Sequence, residues 1–445
     1  MSSPPAAGLL SVEEARARIL ATIAGPTETE IAWTIEALGR VLAEPLHSGT
    51  ALPPWDNSAM DGYAIRSADV AAGTDDRPVR LEVIGEVAAG ERPEIEVRRG
   101  TAVRIATGAP IPTGADAVVP VEQTTPLDPS GEPAGGRGRD ATGPLPAGCL
   151  VHAAVPPGGS IRLRGSDLGL GDRILEAGTE LTPPAIALAA GAGLVQMPVH
   201  RRPIVGILAT GDEVRAAGQP LGPAGIPDAN GPALVALVAA AGGDPRVLGI
   251  AKDRLEDVRA RLCAGLAEEP DALIVSGGVS VGPYDVVRRG FEEFGRIDLW
   301  RVAVQPGKPF AFGTAPRDGR PPVLLFGLPG NPVSTVVTFE VFVRPALRRL
   351  SGHERLFRPI DRAILLESAT TSSGRRAFLR VRADRDDAGS PIRDERGRVH
   401  VRLAGGQGSH VLSALAASDG LAVVPEEVGR VEPGDEVDLW WIDGP

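Results

Sequence analysis

Between positions 271 and 350 the chain carries three apolar runs, each of which breaks into a loop of glycine and proline. Ala272-Leu273-Ile274-Val275 enters Ser276-Gly277-Gly278-Val279-Ser280-Val281-Gly282. Val302-Ala303-Val304 enters Gln305-Pro306-Gly307-Lys308-Pro309, and Val323-Leu324-Leu325-Phe326 enters Gly327-Leu328-Pro329-Gly330-Asn331-Pro332. A short continuous apolar run bounded by turn residues suits a strand buried on both faces of a parallel sheet. Glycines after such a strand let backbone N–H groups approach a ligand, and a following helix N-terminus favours an anion. Asn331 reads as an N-cap with Pro332 at the first helical position, where its missing N–H costs nothing. The pattern predicts that three strand ends converge on one sheet edge, the edge at which open α/β sheets bind ligands.

The flanking sequence extends this unit. Ile204-Val205-Gly206-Ile207-Leu208 reads as a buried strand, followed, after Asp228-Ala229-Asn230-Gly231, by a helix that runs to Ala241, a strand over 247–250 and a helix over 255–266. Leu255, Val258, Leu262 and Leu266 share one helical face, and a last helix runs over 331–350. Strand and helix alternating in this way imply a parallel sheet covered by helices. Upstream, Ser11 and Glu14 form a capping box that opens a helix to about Ile23. A second helix is predicted over 31–42, with Ile31, Ile35, Leu38 and Leu42 on one face. Residues 52–62 are an ordered loop that enters a strand at Tyr63, and 79–121 reads as strands and turns. Residues 126–148 lack periodicity and read as a surface insertion. A helix starts at Thr182 and ends in Gly191 and Gly193. From Ile360 short strands return over 362–366, 377–382, 399–403 and 436–440, which suggests a small barrel or sandwich.

At 445 residues the chain exceeds one ordinary core. A net charge of −11 argues against a general binder of nucleic acid or membrane surfaces. An anionic substrate would then need a local positive site, for which Lys308, Lys252, Arg301 and helix N-termini are candidates. Cys149 and Cys263 are far apart and form no disulfide framework or zinc site. No apolar run reaches the roughly 18 residues of a membrane span, and the first residues lack the basic start of a signal peptide, so a cytoplasmic location is expected. Asp167, Glu213, Asp253 and Asp285 fall at the ends of predicted elements with Asp228 nearby, and carboxylates so placed could hold Mg²⁺ beside substrate phosphates.

The three loops, together with the 53–65 stretch ending in Asp61-Gly62-Tyr63-Ala64, resemble the molybdopterin molybdotransferases of the MoeA type, which include the C-terminal domain of gephyrin. The resemblance covers nearly the whole chain outside 126–148. It implies a multidomain α/β plus β protein: a central doubly wound α/β molybdopterin-binding domain (201–351), an elongated N-terminal domain in two segments (1–50 and 155–200), an inserted β-rich domain (51–154) and a C-terminal β-barrel (352–445). It also implies a reaction, in which adenylylated molybdopterin and molybdate give molybdenum cofactor and AMP with Mg²⁺ as cofactor.

Carried over residue by residue, the resemblance gives Asp61, Asp253, Asp285 and Lys308 catalytic roles, and makes Asp167, Glu213, Asp253 and Asp285 metal ligands. Substrate contacts fall on Thr107, Gly277, Gly278, Ser280, Gln305, Pro309, Pro329, Asn331, Ser334, Arg380 and Ser409. Lys308 and Arg380 would supply charge to the oxyanion, with Ser334 and Ser409 as donors. Asp61 is expected to reach the site of the partner subunit in a homodimer. A molybdopterin adenylyltransferase and molybdoenzyme apoproteins are further expected partners. One position departs from the pattern: a second lysine commonly stands three residues before the Lys308 position, and here it is Gln305. Losing that charge predicts weaker molybdate binding or a shift toward tungstate. A non-catalytic scaffold on the same fold, and the preceding adenylylation step, are the competing readings.

Overall fold

The computed structural model describes residues 9–138, 143–278 and 286–442, with only the backbone of 298–300. At its centre is a six-stranded sheet in the order Asp244–Ala251, Ile204–Thr210, Ala272–Ser276, Arg320–Leu328, Pro309–Arg317, Arg296–Arg301. The first four strands are parallel, as the apolar runs predict, and Pro309–Arg317 runs antiparallel to both of its neighbours. Side chains alternate between two cores. Val205, Ile207, Ile274 and Phe326 pack on one face beneath the helices Val12–Ala21, Asn230–Ala240 and Arg344–Leu350. Leu208, Leu273, Val275 and Leu325 pack on the other beneath Leu255–Ala267 and Val286–Glu292. Each such side chain, fully buried, contributes about 1.5–3 kcal/mol relative to exposure.

One of the three predicted strands joins a different sheet. Val304–Gln305 pairs with Arg376–Ala377 of the C-terminal unit, while Val302 and Val304 still bury their side chains in the central core. A run of three apolar residues signals burial without saying which sheet supplies the backbone partners. The chain re-enters the central sheet at Pro309, whose strand runs antiparallel to 320–328, so this loop reaches the same edge from the opposite direction.

The capping box forms as read: the Ser11 N–H donates to Glu14 Oε2 at 2.9 Å, and the Glu14 N–H donates to Ser11 Oγ at 3.1 Å. The second predicted helix does not form. Thr29–Trp33 is a strand paired antiparallel with Gln196–His200, followed by a short 3₁₀ turn at Thr34–Glu36. Leu42 is buried, but Ile31 is 62% exposed and Ile35 88%. The spacing of three and four mimicked a helical stripe, whereas pairing with the distant strand Gln196–His200 and the bond from the Thr34 N–H to the Val195 carbonyl set the local structure.

Strand pairs Leu46–His47 with Arg173–Leu175 and Asn57–Ser58 with Ile161–Arg162 continue this zipping of two distant segments. Between them lies a second six-stranded sheet, drawn from residues 62–151. Gly62 is required there, because a Cβ would lie 2.0 Å from the Val119 carbonyl oxygen. The supposed insertion is bounded by a hairpin: Thr124–Leu127 pairs with Gly148–Val151, so only the stretch between these strands is connection. Residues 139–142 of it lie outside the described residues.

The C-terminal strands Ile360–Leu365, Arg376–Ala383, Val399–Leu403 and Glu436–Trp441 are joined by Gly420–Val424, a strand the sequence reading passed over. Pairing of 376–383 with 420–424 closes a five-stranded barrel. Arg358, in the linker to it, forks onto buried Glu340 with two 3.0 Å bonds. No helix among the described residues is long and apolar enough to cross a membrane.

Where the 173–200 segment meets the end of helix 344–350, buried His353 sits between Arg348 at 3.0 Å and Glu180 at 3.1 Å. Burial, then the Arg348 charge, lowers its pKa to about 4, with Arg344 lowering and Glu180 raising it. A folded-state pKa below the unfolded value means that the unfolded chain binds the proton first. Stability tied to the neutral ring is therefore complete above about pH 6.5 and falls as the pH drops toward about 4. Urea midpoints measured from pH 7 to pH 4.5 should fall more steeply for the native chain than for His353→Gln. Parallel curves would remove the histidine as the cause.

Candidate functional site

The C-terminal ends of strands 204–210, 272–276 and 320–328 open into a cleft of about 570 Å³. Its floor is made by two backbones in close approach. Gly277 has φ +94°, and a Cβ on it would lie 2.6 Å from the Thr210 carbonyl oxygen. Gly278 has φ +63°, with its Cβ position 2.6 Å from Val287. A Cβ on Gly330 would lie 3.5 Å from Gly277 Cα, so the two glycine loops touch. Side chains at 277 or 278 would therefore meet both strain and collision.

Asn230 ties these loops together. Its amide donates to Ser276 Oγ at 2.6 Å and to the Gly330 carbonyl at 2.8 Å, joining helix 230–240 to both strand ends. The Asp228 carboxylate holds the start of the same helix by accepting the Gly231 N–H at 2.9 Å. His410, in the 405–410 stretch that the resemblance carries toward the oxyanion, lies on the cleft wall, as do Asn230 and Thr210, which the sequence does not mark as site residues. In the sequence Asn230 reads as part of the loop that precedes the helix. The available signal was a polar residue directly before a helix that follows a strand end.

Glu213 and Asp253 project into the cleft from adjacent strand ends. The Asp253 carboxyl is pushed above its ordinary range, first by partial desolvation and then by the negative charges of Glu213 and Asp212, although a backbone N–H of Asp212 donates to it. Two like charges confined at one site are what a divalent cation relieves. Mg²⁺ takes one or two carboxylates and completes its shell with water and phosphate oxygens, so this donor set fits it. Among the described residues no group of three or more His, Cys, Asp or Glu converges, so a cage made only of protein ligands is not formed.

Gly277, Gly278, Pro309, Pro329, Asn331, Glu213 and Asp253 thus share one cleft. Asn331 occupies the N-cap position of helix Pro332–Thr338, but its side chain makes no capping bond. Instead the Val333 N–H donates to the Ser409 carbonyl at 3.1 Å, which docks the barrel's 405–410 loop against this helix start. Ser334 is buried one residue further on, and Lys308 is exposed in its loop.

Arg380 is 1% exposed and has no carboxylate partner among the described residues. It donates to the carbonyls of Phe378, Gly406 and Gly408 at 3.3–3.4 Å and leaves Nε without an acceptor. Burial lowers its pKa to about 10. The Gln305 amide oxygen is committed to the Ser372 N–H at 2.7 Å, so it faces the loop that leads into strand Arg376–Ala383 of the barrel.

Asp61 and Thr107 lie together elsewhere. The Asp61 carboxylate accepts both the Thr107 N–H at 2.7 Å and its hydroxyl at 2.9 Å, on the 62–151 sheet and away from the cleft lining. Asp167 is exposed on a turn whose backbone bonds to Leu52, apart from Glu213 and Asp253. Lys252 and Arg301 are exposed and line no part of the cleft. Ser280 and Asp285 lie outside the described residues.

A sheet with glycine loops and paired carboxylates at its strand ends defines a binding domain for an anionic ligand. The sequence model of a probable molybdopterin binding domain matches residues 206–349. Those of the MoeA N-terminal region (domains I and II) and the MoeA C-terminal region (domain IV) match 10–193 and 362–442. The molybdopterin molybdenumtransferase of Haemophilus influenzae is 34% identical over 97% of this chain and 98% of its own length. Molybdopterin molybdenumtransferase 2 of Mycobacterium tuberculosis is 36% identical over 91% and 93%. The crystal structure of the molybdopterin biosynthesis MoeA protein from Pyrococcus horikoshii, 28% identical, superposes with a TM-score of 0.74 over 97% of this chain and all of that one. This chain belongs to the MoeA family of molybdopterin molybdenumtransferases.

Asn230→Ala removes both donors and leaves the Gly330 carbonyl and Ser276 hydroxyl unpaired. We expect a loss of about 1–3 kcal/mol in urea unfolding. A change below about 0.5 kcal/mol would show that the loops hold their approach without it.

Proposed function

We propose that this chain transfers molybdenum from molybdate to adenylylated molybdopterin with release of AMP, in molybdenum cofactor biosynthesis. The observation that carries this reading is the cleft at the strand ends, where Glu213 and Asp253 stand across from the touching Gly277 and Gly330 loops. The glycine loops would bind the pterin phosphates through backbone N–H groups, and Asn230 keeps their spacing. Glu213 and Asp253 would hold Mg²⁺, together with Asp285 as the resemblance implies, whereas Asp167 lies apart from both and would join them only from a partner subunit. Bound there, the ion would neutralise the pyrophosphate while its bond to AMP is cleaved. The protein's own task is positioning, and no covalent nucleophile is needed. Lys308 and Arg380 would attract molybdate, with Ser334 and Ser409 as donors, and the soft dithiolene sulfurs of the pterin would take the metal.

We further propose that the chain works as a homodimer. Ile31, Trp33, Ile35, Leu38 and Val195 form an exposed apolar stretch along the 29–33 strand and its turn, of the kind that marks a protein interface. The Asp61–Thr107 pair lies outside its own chain's cleft lining, which supports its use by the partner's site.

The direct test is AMP release by purified protein with Mg²⁺, titrating molybdate against tungstate. Molybdate-dependent release that falls at least 100-fold in Asp253→Asn is expected, an effect of about 2.7 kcal/mol. Tight substrate binding with no release on either anion would instead make the chain a scaffold.

Two substitutions separate the cations. Arg380→Met removes a buried charge whose bonds are long. It should raise the molybdate concentration for half-maximal release at least tenfold without lowering the melting temperature. Unfolding of the variant would make Arg380 a packing residue. Gln305→Lys adds charge but deprives Ser372 of its acceptor, so tighter molybdate use is expected together with a lower melting temperature. Unchanged half-saturation would remove position 305 from the oxyanion site.

A further inference from the structure

Helix 12–21 carries an arginine that lines no part of the cleft. Val12, Ala15 and Ile19 bury one face of this helix in the central core, and Arg16 stands beside that face, four residues after Val12 and three before Ile19. Its Nε donates to the Val341 carbonyl at 2.9 Å, in the π-helical turn Phe339–Val343 of the helical run that starts at the cleft with Pro332. Its Nη2 is buried without an acceptor. The carboxylate whose charge reaches it, Glu13, is paired with Arg376 of the barrel. Two aromatic rings stand where a carboxylate would be expected. The guanidinium lies 4.9 Å from the ring centroid of Trp440, in the barrel's last strand, and 5.0 Å from that of Phe357, in the linker. Both distances fall in the range at which a cation is drawn to a ring face. Burial lowers the Arg16 pKa to about 10, so the group is still charged at neutral pH.

Trp440 carries this contact toward the site. Its ring meets Phe378 edge-on with centroids 5.2 Å apart, and the Phe378 carbonyl accepts from the Arg380 guanidinium at 3.3 Å. Phe378, Leu421, Val423 and Trp440 are the barrel's share of the central core. Hydrophobic burial is non-directional, and by itself it does not fix how the barrel is turned on the α/β domain. A guanidinium bonded to the Val341 carbonyl and held over the Trp440 ring does, because both contacts have a defined geometry. Helix 12–21 is anchored independently of this arginine. The Leu10 N–H donates to the Arg301 carbonyl at 2.9 Å, and the Leu10 carbonyl accepts the Ala303 N–H at 2.9 Å.

We propose that Arg16 is a positioning residue for the oxyanion side of the site: it sets the turn of the barrel on the 332–350 helical run, and so where Arg380 and the 405–410 loop stand against the cleft. The action of Arg380 on molybdate rests on the transferase reading, whereas the docking of the barrel does not. One backbone group reports that docking. The Val333 N–H is among the first donors of helix Pro332–Thr338, with no partner inside the helix, and its acceptor is the Ser409 carbonyl of the barrel.

The test compares the native full chain with Arg16→Met in two measurements. In AMP release with Mg²⁺, the substitution should raise the molybdate concentration for half-maximal rate at least fivefold, and that of adenylylated molybdopterin less than twofold. In amide hydrogen exchange without substrate, protection of Val333 should fall at least tenfold, while that of Ile274 in the central sheet stays within twofold. Unchanged protection of Val333 overturns the proposal. So does an equal loss at Ile274, or an equal rise for both substrates, either of which makes Arg16 a packing residue. A native chain that releases no AMP refutes the transferase reading alone, and exchange at Val333 then still decides whether Arg16 sets the barrel.

Discussion

The central sheet is covered on both faces, and this constraint places everything else. Strands 204–210, 272–276 and 320–328 send alternate side chains into two separate cores, so no polar group can meet a ligand from mid-strand without losing its own partners. Only the strand ends are open. At the N-terminal edge, Arg201 forks onto Asp271 at 2.9 and 3.0 Å while the Ile204 N–H donates to the same carboxylate, a set of charges that is internally matched. At the C-terminal edge the glycine loops approach, and Glu213 and Asp253 stand unmatched. The same sheet therefore has one edge used for stability and another left free for chemistry.

That edge was legible in the sequence because glycine, proline and unbroken apolar runs are local signals. Gly277 and Gly330 read in the sequence as loop glycines that let backbone approach a ligand, and in the structure what they approach closely is other backbone: Thr210 for Gly277, and Gly277 for Gly330. The capping box at Ser11 was legible for the same reason, since both of its hydrogen bonds join residues three apart. Carboxylates at predicted strand ends proved a partial guide. Glu213 and Asp253 meet in the cleft, whereas Asp167 sits on a turn whose position depends on Leu52.

What could not be read depends on partners distant in sequence. Ile31, Ile35, Leu38 and Leu42 have helical spacing, yet the backbone there bonds to residues near 196–200, and three of the four stay exposed. Val302-Ala303-Val304 announces burial but not the sheet it joins. Gln305 shows the same limit at the level of one side chain. Its identity marks the loss of a charge, while its amide oxygen serves a loop of the C-terminal unit through Ser372.

Positive charge in this acidic chain is kept apart from the carboxylates of the cleft. Lys308 stands in an exposed loop, and Arg380 lies behind the 405–410 loop that docks on the helix start at Val333. Burying a guanidinium costs several kcal/mol unless strong bonds offset it. Carbonyl contacts of 3.3–3.4 Å with Nε unpaired are weak compensation beside the 2.7–2.9 Å bonds that a charged acceptor makes. A group held in this way stabilises the fold little and is best matched by an anion that arrives from outside. Two carboxylates thus gather at the cleft, while the Arg380 guanidinium is left with an unpaired nitrogen behind the 405–410 loop.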